Sequence, residues 1–439
     1  MEAQKLSSSW KALRHHPVQQ QYFTSRKRFN IVPAGRRGGK TEIAKRRAVR
    51  KAIGYCSHPD GWVVLAAPTH GQAKRIYWGD VKRLVPKVFV RAISEGELAI
   101  YLFNGIKLQV MGLDVPERIE GPPLDHIVMD EYGNMKEDVW GAHVRPSLSD
   151  RQGTADFIGV PEGRNHYYEL WKAAQDNDRW GAFTWTSEEI LPPDEIDEAK
   201  RDLDTLTYDQ EYRAHFVTFQ GRTYYAFLED ANVHPLSYDK ERDLFITMDF
   251  NVAPGTANAV QEFKNSGQFP GNVAEQFSGI IGEVHIKRDS NTPRVCDRIL
   301  NAYGDHEGEI YIYGDATGGA KGTAKVKGSD WDIVKGLFRA RWGDRAHFRV
   351  PKGNPKERVR VNAVNSRCAT ADGTVKLLVD PRCQRTIEDF NGVRNKKDGS
   401  GEIDKKADPH LSHLTDGVGY YIAKRFPIAK GAIAVVEDY

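Results

Sequence analysis

A Gly- and Arg-rich stretch, Ala34-Gly-Arg-Arg-Gly-Gly-Lys-Thr41, stands between a short apolar run, Phe29-Asn-Ile-Val32, and helical spacing from Thr41 to Ile53. Strand, glycine loop and helix in that order commit the start of the chain to an α/β unit. Set against the pattern GxxxxGK[ST], Gly39, Lys40 and Thr41 match, while Ala34 takes the place of the first glycine and Gly35 follows it. Small residues let backbone N–H groups converge on phosphates, a lysine reaches the terminal phosphates, and a hydroxyl ligates Mg²⁺. The start of the following helix adds its positive dipole end. Gly35, Arg36, Arg37, Gly38, Gly39, Lys40 and Thr41 are therefore the expected nucleotide loop, with a plain Gly-rich turn as the competing reading.

Downstream, His126-Ile-Val-Met-Asp-Glu131 is an apolar strand ending in two carboxylates. Asp130 is placed to hold Mg²⁺ and Glu131 to polarise an attacking water as general base. A strand-end Asp-Glu alone is a common solvated turn; with the loop at Gly39–Thr41 it reads as the second half of an ATPase. Between the two lies Val115-Pro-Glu-Arg-Ile-Glu-Gly121, where Arg118 either offsets charge on a transferring phosphoryl group or pairs with Glu117 or Glu120.

Three further aspartates stand apart. Asp249 ends the apolar run Leu244–Met248, Asp315 ends Ile310-Tyr-Ile-Tyr-Gly314, and Asp416 sits in the helix-like segment His410–Tyr421. Carboxylates at neighbouring strand ends, joined by one from a late helix, can hold two divalent cations about 4 Å apart, which activate water and stabilise the leaving oxygen of a phosphodiester. Hard oxygen ligands suit Mg²⁺ or Mn²⁺. Three unrelated strand-end acids are the alternative. His410 and His413 read either as partners of these acids or as satisfied surface histidines.

The 439 residues, 40% hydrophobic and 28% charged, exceed one ordinary core and suit two domains of roughly 200 residues each. Trp62–Ala67 is the longest apolar run, strand-sized and far short of the roughly 20 residues that span a bilayer. The opening Met1-Glu-Ala-Gln-Lys5 lacks a charged-then-apolar leader, which argues against secretion. Cys56, Cys296, Cys368 and Cys383 have no CxxC spacing, so a reduced compartment is expected, without disulfide framework or cysteine zinc site. The formal charge is +3, but residues 1–51 carry 14 Lys/Arg against Glu2 and Glu42. A second basic stretch runs through Lys335, Arg339, Arg341, Arg345, Arg349, Lys352, Lys356, Arg358, Arg360 and Arg367. Such stretches suit a polyanion or are simply solvated faces. Ser187–Phe216, with Pro192-Pro193 and helical spacing over Glu198–Arg213, reads as a helical lid and linker.

In order along the chain, these features resemble the large terminase subunit of tailed bacteriophages. His16-Pro-Val-Gln19 is similar to that family's adenine-side glutamine motif, and Gly35–Thr41 to its Arg-bearing loop. Arg118 lies where the family has an arginine before glycine, here split from Gly121 by Ile119 and Glu120. Ile158-Gly-Val-Pro-Glu-Gly-Arg-Asn165 resembles its coupling segment, with Val160 where a threonine is usual. Tyr208-Asp-Gln-Glu-Tyr212, Phe216 and Gly221 resemble its linker, and Asn354–Asn365 and His413-Leu-Thr-Asp416 its nuclease signatures.

The resemblance implies an N-terminal RecA-like ASCE P-loop ATPase over 1–215, a lid and linker at about 187–240, and a C-terminal RNase H-like α/β nuclease over 241–439. It places Gln19 at the adenine, makes Arg118 a finger acting on a neighbouring subunit's ATP, and carries metal-ligand roles onto Asp249, Asp315 and Asp416. It implies ATP with Mg²⁺ in the motor and two Mg²⁺ or Mn²⁺ ions in the nuclease. The expected partners are double-stranded DNA, the procapsid portal protein, the small terminase subunit and further copies in a ring, with no membrane. The expected location is the host cytoplasm, with docking at the portal vertex. Two other readings stay open: an ATP-dependent helicase or recombination factor with an appended nuclease-like domain, and a non-catalytic DNA-binding scaffold.

Overall fold

The computed structural model describes residues 16–54, 58, 60–217, 221–249, 254–316, 329–396 and 401–428. Cys56 and the tail beyond residue 428 lie outside them. The chain forms two compact units, Met1–Ile196 with Asp209–Val217, and Asp197–Tyr208 with Thr218–Tyr439.

The first unit is built on an eight-stranded sheet: β1 (Phe29–Pro33), β2 (Trp62–Ala67), β3 (Val90–Ser94), β4 (Ala99–Leu102), β5 (Lys107–Gly112), β6 (His126–Asp130), β7 (Thr154–Gly159) and β8 (Trp180–Ala182). The spatial order is β3-β4-β5-β2-β6-β7-β1-β8. From β5 to β8 every pairing is parallel, and the β3–β4–β5 edge is antiparallel. β1, β2 and β6 are buried at every residue. That is why they read as largely apolar runs rather than alternating ones: parallel strands are covered on both faces. The order places β7 between β1, which feeds the glycine loop, and β6, which ends in Asp130. Gly39, Asp130 and the end of β7 at Gly159 therefore emerge on the same edge of the sheet, where doubly covered α/β sheets carry their sites.

The polar interior of this unit centres on Asp156 in β7, which is fully buried. Arg47, from the helix Lys40–Gly54, donates to it through Nε (2.7 Å) and Nη2 (3.3 Å). Asn30 and Tyr22 donate as well, at 2.7 and 3.1 Å. Arg47 Nη1 also binds the carbonyls of Tyr22, Phe23 and Ser25. Burial alone pushes the Asp156 pKa up, but the Arg47 and His126 charges outweigh it and hold the group well below the usual carboxylate range. Three members of the N-terminal basic stretch are thus spent internally: Arg47 on Asp156, Lys45 on Asp80 at 2.5 Å, and Arg46 on Glu42 at 2.7 Å.

The second unit carries a six-stranded sheet of β9 (Leu244–Asp249), β10 (Gly255–Lys264), β11 (Val273–Ile286), β12 (Ile310–Gly314), β13 (Ala346–Phe348) and β14 (Val375–Val379), in the order β13-β12-β9-β10-β11-β14. β9, β10 and β11 form an antiparallel meander, and β12 and β13 add parallel to β9 on its other side. This is the RNase H-like arrangement the resemblance implied, with Asp249 and Asp315 at the ends of adjacent strands β9 and β12. Helices Glu357–Cys368 and His413–Arg425 pack on one face through Val361, Val364, Val418 and Tyr421 against Phe245 and Tyr313. The opposite face packs Ile246 and Ile312 against Trp331 and Phe338 of the helix Asp330–Trp342.

The single helical stretch expected over Glu198–Arg213 is two helices, Pro193–Asp202 and Thr205–Glu211. Asp204 breaks it, since its carboxylate accepts the Thr207 N–H at 3.0 Å and caps the second helix. Cys296, Cys368 and Cys383 are buried free thiols. Among the described residues no helix is long and apolar enough to cross a membrane.

Candidate active sites

In the first unit the glycine loop is gripped from outside. Gly35 N–H donates to the Trp185 carbonyl (2.9 Å) and Arg36 N–H to the Glu211 carbonyl (2.6 Å). Ser187 Oγ donates to the Arg36 carbonyl at 2.6 Å, and the Arg36 guanidinium pairs with Glu211 at 2.7 Å. The Gly38 carbonyl accepts from both Gln19 Nε2 and Trp185 Nε1, each at 2.7 Å. A Cβ on Gly35 would lie 2.4–2.6 Å from Ser187 and the Tyr212 carbonyl, and one on Gly38 would lie 2.8 Å from Trp185. At Ala34 the loop departs from the pattern with a buried alanine, and glycine is demanded one position later, at Gly35. Arg37 (φ 58°) and Gly39 (φ 78°) take left-handed backbone and turn the chain into the helix. That helix begins at Lys40, so its first N–H groups, which have no intrahelical partner, face the loop.

Thr41 Oγ1 donates to Asp130 Oδ2 at 3.2 Å, Tyr77 OH to the same oxygen at 2.7 Å, and the Glu131 N–H to Oδ1 at 3.0 Å. Burial, and then the Glu131 charge, raise the Asp130 pKa to about 6, against the pull of Tyr77, Lys40 and Thr41. Glu131 has left-handed backbone, φ 51° and ψ 44°, a conformation that costs a non-glycine residue roughly 1–2 kcal/mol. Two hard oxygens side by side on a loop-and-strand edge fit Mg²⁺. Behind them runs the expected coupling segment. Gly159 would bring a Cβ to 3.4 Å from Glu131 Cα, Asn165 Nδ2 donates to the Gly133 carbonyl at 2.9 Å, and the Gln210 side chain accepts the Gly163 N–H at 3.2 Å.

Arg118 is placed elsewhere. It is exposed on the short helix Pro116–Ile119 and, with Trp62, His70 and Lys107, lines a cleft of about 480 Å³. Glu120, one of its suggested partners, is bonded to His143 at 2.5 Å instead.

In the second unit His413 Nδ1 meets Asp249 Oδ2 at 3.1 Å, and its Nε2 meets the Pro409 carbonyl at 3.0 Å. Of the two readings for that histidine, the partner of an acid is the one seen. Asn354 Nδ2 donates to Asp315 Oδ1 at 2.5 Å, and its Oδ1 accepts the Ala316 N–H. Asp416 is buried, with Arg360 Nη2 at 2.6 Å from Oδ1 and Lys405 Nζ at 3.0 Å from Oδ2. Burial raises the Asp249 pKa, and the Asp416 and Asp315 charges push the same way against His413, so the three carboxylates share one electrostatic neighbourhood. Their oxygens suit a hard divalent ion. Among the described residues, however, no three His, Cys, Asp or Glu side chains converge as a closed metal site.

Three residues here escaped the sequence reading. Arg360 counted as one of a basic stretch, but it is a buried partner of Asp416. Lys405 carried no motif. Asp389, also buried, accepts the N–H groups of Leu414 and Thr415 at the start of the helix bearing Asp416, and burial raises its pKa to about 7. A polar residue inside the apolar spacing of Gln384–Gly392 was the available signal.

Residues 31–230 match the family described as the large terminase subunit, T4likevirus-type, N-terminal. The large terminase subunit of Escherichia phage T5 is 27% identical over 210 residues, 46% of this chain and 47% of that protein. That of Thermus phage G20c is 25% identical over 250 residues, 48% and 50% of the two chains. The chain spans about half the length of these curated relatives. Among solved structures, the large terminase of a thermophilic bacteriophage superposes with a TM-score of 0.60 at 16% identity, covering 93% of this chain and 98% of that one. The complex of that terminase with ADP gives 0.60 at 15% identity over the same shares. The resemblance to large terminase subunits carried by the motifs is thus matched by sequence in the first half and by fold along nearly the whole chain.

Proposed function

We propose that this chain, similar to phage large terminase subunits, is a DNA-packaging motor that hydrolyses ATP to move double-stranded DNA and cuts that DNA with its second unit. The observation that carries the motor reading is the apposition of Thr41 and Asp130 at the foot of a clasped phosphate loop. ATP phosphates would meet the N–H groups that open the helix Lys40–Gly54, with Lys40 at its first turn, while Gln19 holds the loop through the Gly38 carbonyl. Thr41 and Asp130 would hold Mg²⁺, which neutralises charge on the phosphates when bound. Glu131, next in the chain, orients and deprotonates the attacking water. Its left-handed backbone is the kind of local strain that is kept where a side chain has work to do.

In the second unit Asp249, Asp315 and Asp416 would hold two Mg²⁺ or Mn²⁺ ions, which would supply a nucleophilic hydroxide and stabilise the leaving oxygen of a phosphodiester. His413 fixes the Asp249 carboxylate, and Asn354 fixes that of Asp315. The exposed cations Arg339, Arg341, Arg349 and Lys352 suit phosphate contacts that carry no sequence information. A portal, a small subunit and a ring of copies, with exposed Arg118 acting on a neighbour's ATP in the host cytoplasm, complete the reading.

The test has two arms. Glu131→Gln should lose ATP turnover by at least about 100-fold while binding nucleotide normally. Asp315→Asn should lose Mn²⁺-dependent plasmid nicking while keeping ATPase activity. Turnover in the first variant at the parent rate, or nicking in the second, removes that residue and its reading.

A further inference from the structure

The two cations on Asp416 are of different kinds. Arg360 is buried, and its guanidinium lies 4.5 Å from the Tyr420 ring centroid. It sits on the helix Glu357–Cys368, whose inner side forms part of the core, so it stays on Oδ1 as long as the unit is folded. Lys405 reaches in from outside with its side chain 54% exposed. Its ammonium has a second carboxylate in range, Glu357 Oε2 at 3.9 Å. Glu357 in turn is held to the same stretch of chain, its Oε1 accepting the Ile403 N–H at 2.6 Å. The lysine therefore has two carboxylates to choose between, and the swing from one to the other breaks nothing in the core.

We infer that Lys405 is a displaceable internal cation that competes with a divalent ion for Asp416 Oδ2 and so sets the metal concentration at which the second unit becomes active. The inference rests on the nuclease reading above. Arg360 alone balances the Asp416 charge. A divalent ion on Oδ2 would sit about 2 Å from that oxygen, and an ammonium 3.0 Å from the same oxygen would then be only a few ångströms from a dication beside a buried carboxylate. The two exclude one another, and Glu357 takes the lysine when the ion wins. When the ion leaves, the ammonium returns and screens Asp416 from Asp249 and Asp315, with which it shares its neighbourhood. Metal entry is thereby an exchange of one cation for another.

The experiment titrates Mn²⁺ calorimetrically, without nucleotide, into the full chain, into Lys405→Gln and into Lys405→Gln/Asp416→Asn. Lys405→Gln should bind Mn²⁺ about two- to fivefold more tightly than the parent, in keeping with loss of one partly exposed charge pair. The double variant should lose that gain, and Lys405→Arg, which keeps the charge, should bind like the parent or more weakly. Unchanged or weaker Mn²⁺ affinity in Lys405→Gln overturns the inference while leaving the nuclease reading standing if the parent nicks plasmid DNA. Absence of Mn²⁺-dependent nicking in both parent and Lys405→Gln overturns the nuclease reading itself.

Discussion

Replacing Gly35 by alanine adds one methyl group at a point where the loop has no room. The ideal Cβ lies 2.4 Å from Ser187 Oγ, 2.5 Å from Ser187 N and 2.6 Å from the Tyr212 carbonyl oxygen. The hydroxyl can rotate away, but the two backbone atoms cannot, so loop and clasp must separate by about 0.5–1 Å to reach ordinary van der Waals distance. Overpacking of this kind costs about 1–3 kcal/mol. The hydrogen bonds from Gly35 and Arg36 N–H and from Ser187 Oγ, at 2.6–2.9 Å, are the ones stretched, each worth about 1 kcal/mol. If half of the roughly 3 kcal/mol in those three bonds falls on the nucleotide-binding geometry, the Kd for ATP rises about 10-fold. Fluorescent-nucleotide titration measures it. Gly54→Ala, where an added Cβ meets nothing within 4 Å, serves as the control and should bind like the parent. A Gly35→Ala chain that binds ATP within about twofold of the parent would refute the idea that the clasp shapes the loop.

Two further outcomes follow from buried charges. Arg47→Met leaves the fully buried Asp156 without its main counter-charge and should cost about 3–5 kcal/mol, with Arg47→Met/Asp156→Asn recovering at least half; hydrogen exchange of β1 and β7 in urea reads this locally, and a loss under about 1 kcal/mol would count against it. Asp389 has its folded pKa raised to about 7 from an ordinary 3.8, so its stabilising contribution is full below pH 4 and fades as pH rises through 7. Asp389→Asn should therefore gain stability relative to the parent between pH 4 and pH 7, by up to about 4 kcal/mol; a difference constant with pH would show that the carboxyl is not held neutral.

The loop, the acidic pair and the strand Trp62–Ala67 were legible because each is local: a few adjacent residues whose spacing or continuity states the chemistry. The clasp was not. Trp185, Ser187 and Glu211 reach the loop from 147 to 175 residues away; the motif around Glu211 reads as a linker and says nothing of a contact with the loop. β10 is hard to read because Thr256, Asn258 and Gln261 are buried among its apolar residues, and β11 because Glu275 and Gln276 interrupt its start. Charge runs misled in a particular way. Arg47 and Arg360 look like any other member of a basic stretch, and only the opposite strand or helix reveals that each faces a buried aspartate.

The path of the chain between the units bears on how this protein can be divided. Asp197–Tyr208 belongs to the second unit, whereas Asp209–Val217, which follows it, belongs to the first. Leu203 and Lys200 accept N–H groups from Ala371 and Asp372, while Glu211 holds Arg36. A truncation ending at Ile196 keeps the loop, Asp130 and Glu131 but discards the acid that pairs with Arg36. One ending at Val217 keeps that acid and strands buried Leu203 and Tyr208 in water. No single cleavage leaves both halves whole. Recombination that swaps one half for a homologue needs three junctions, after Ile196, Tyr208 and Val217, so the two halves are expected to travel between genomes as one block.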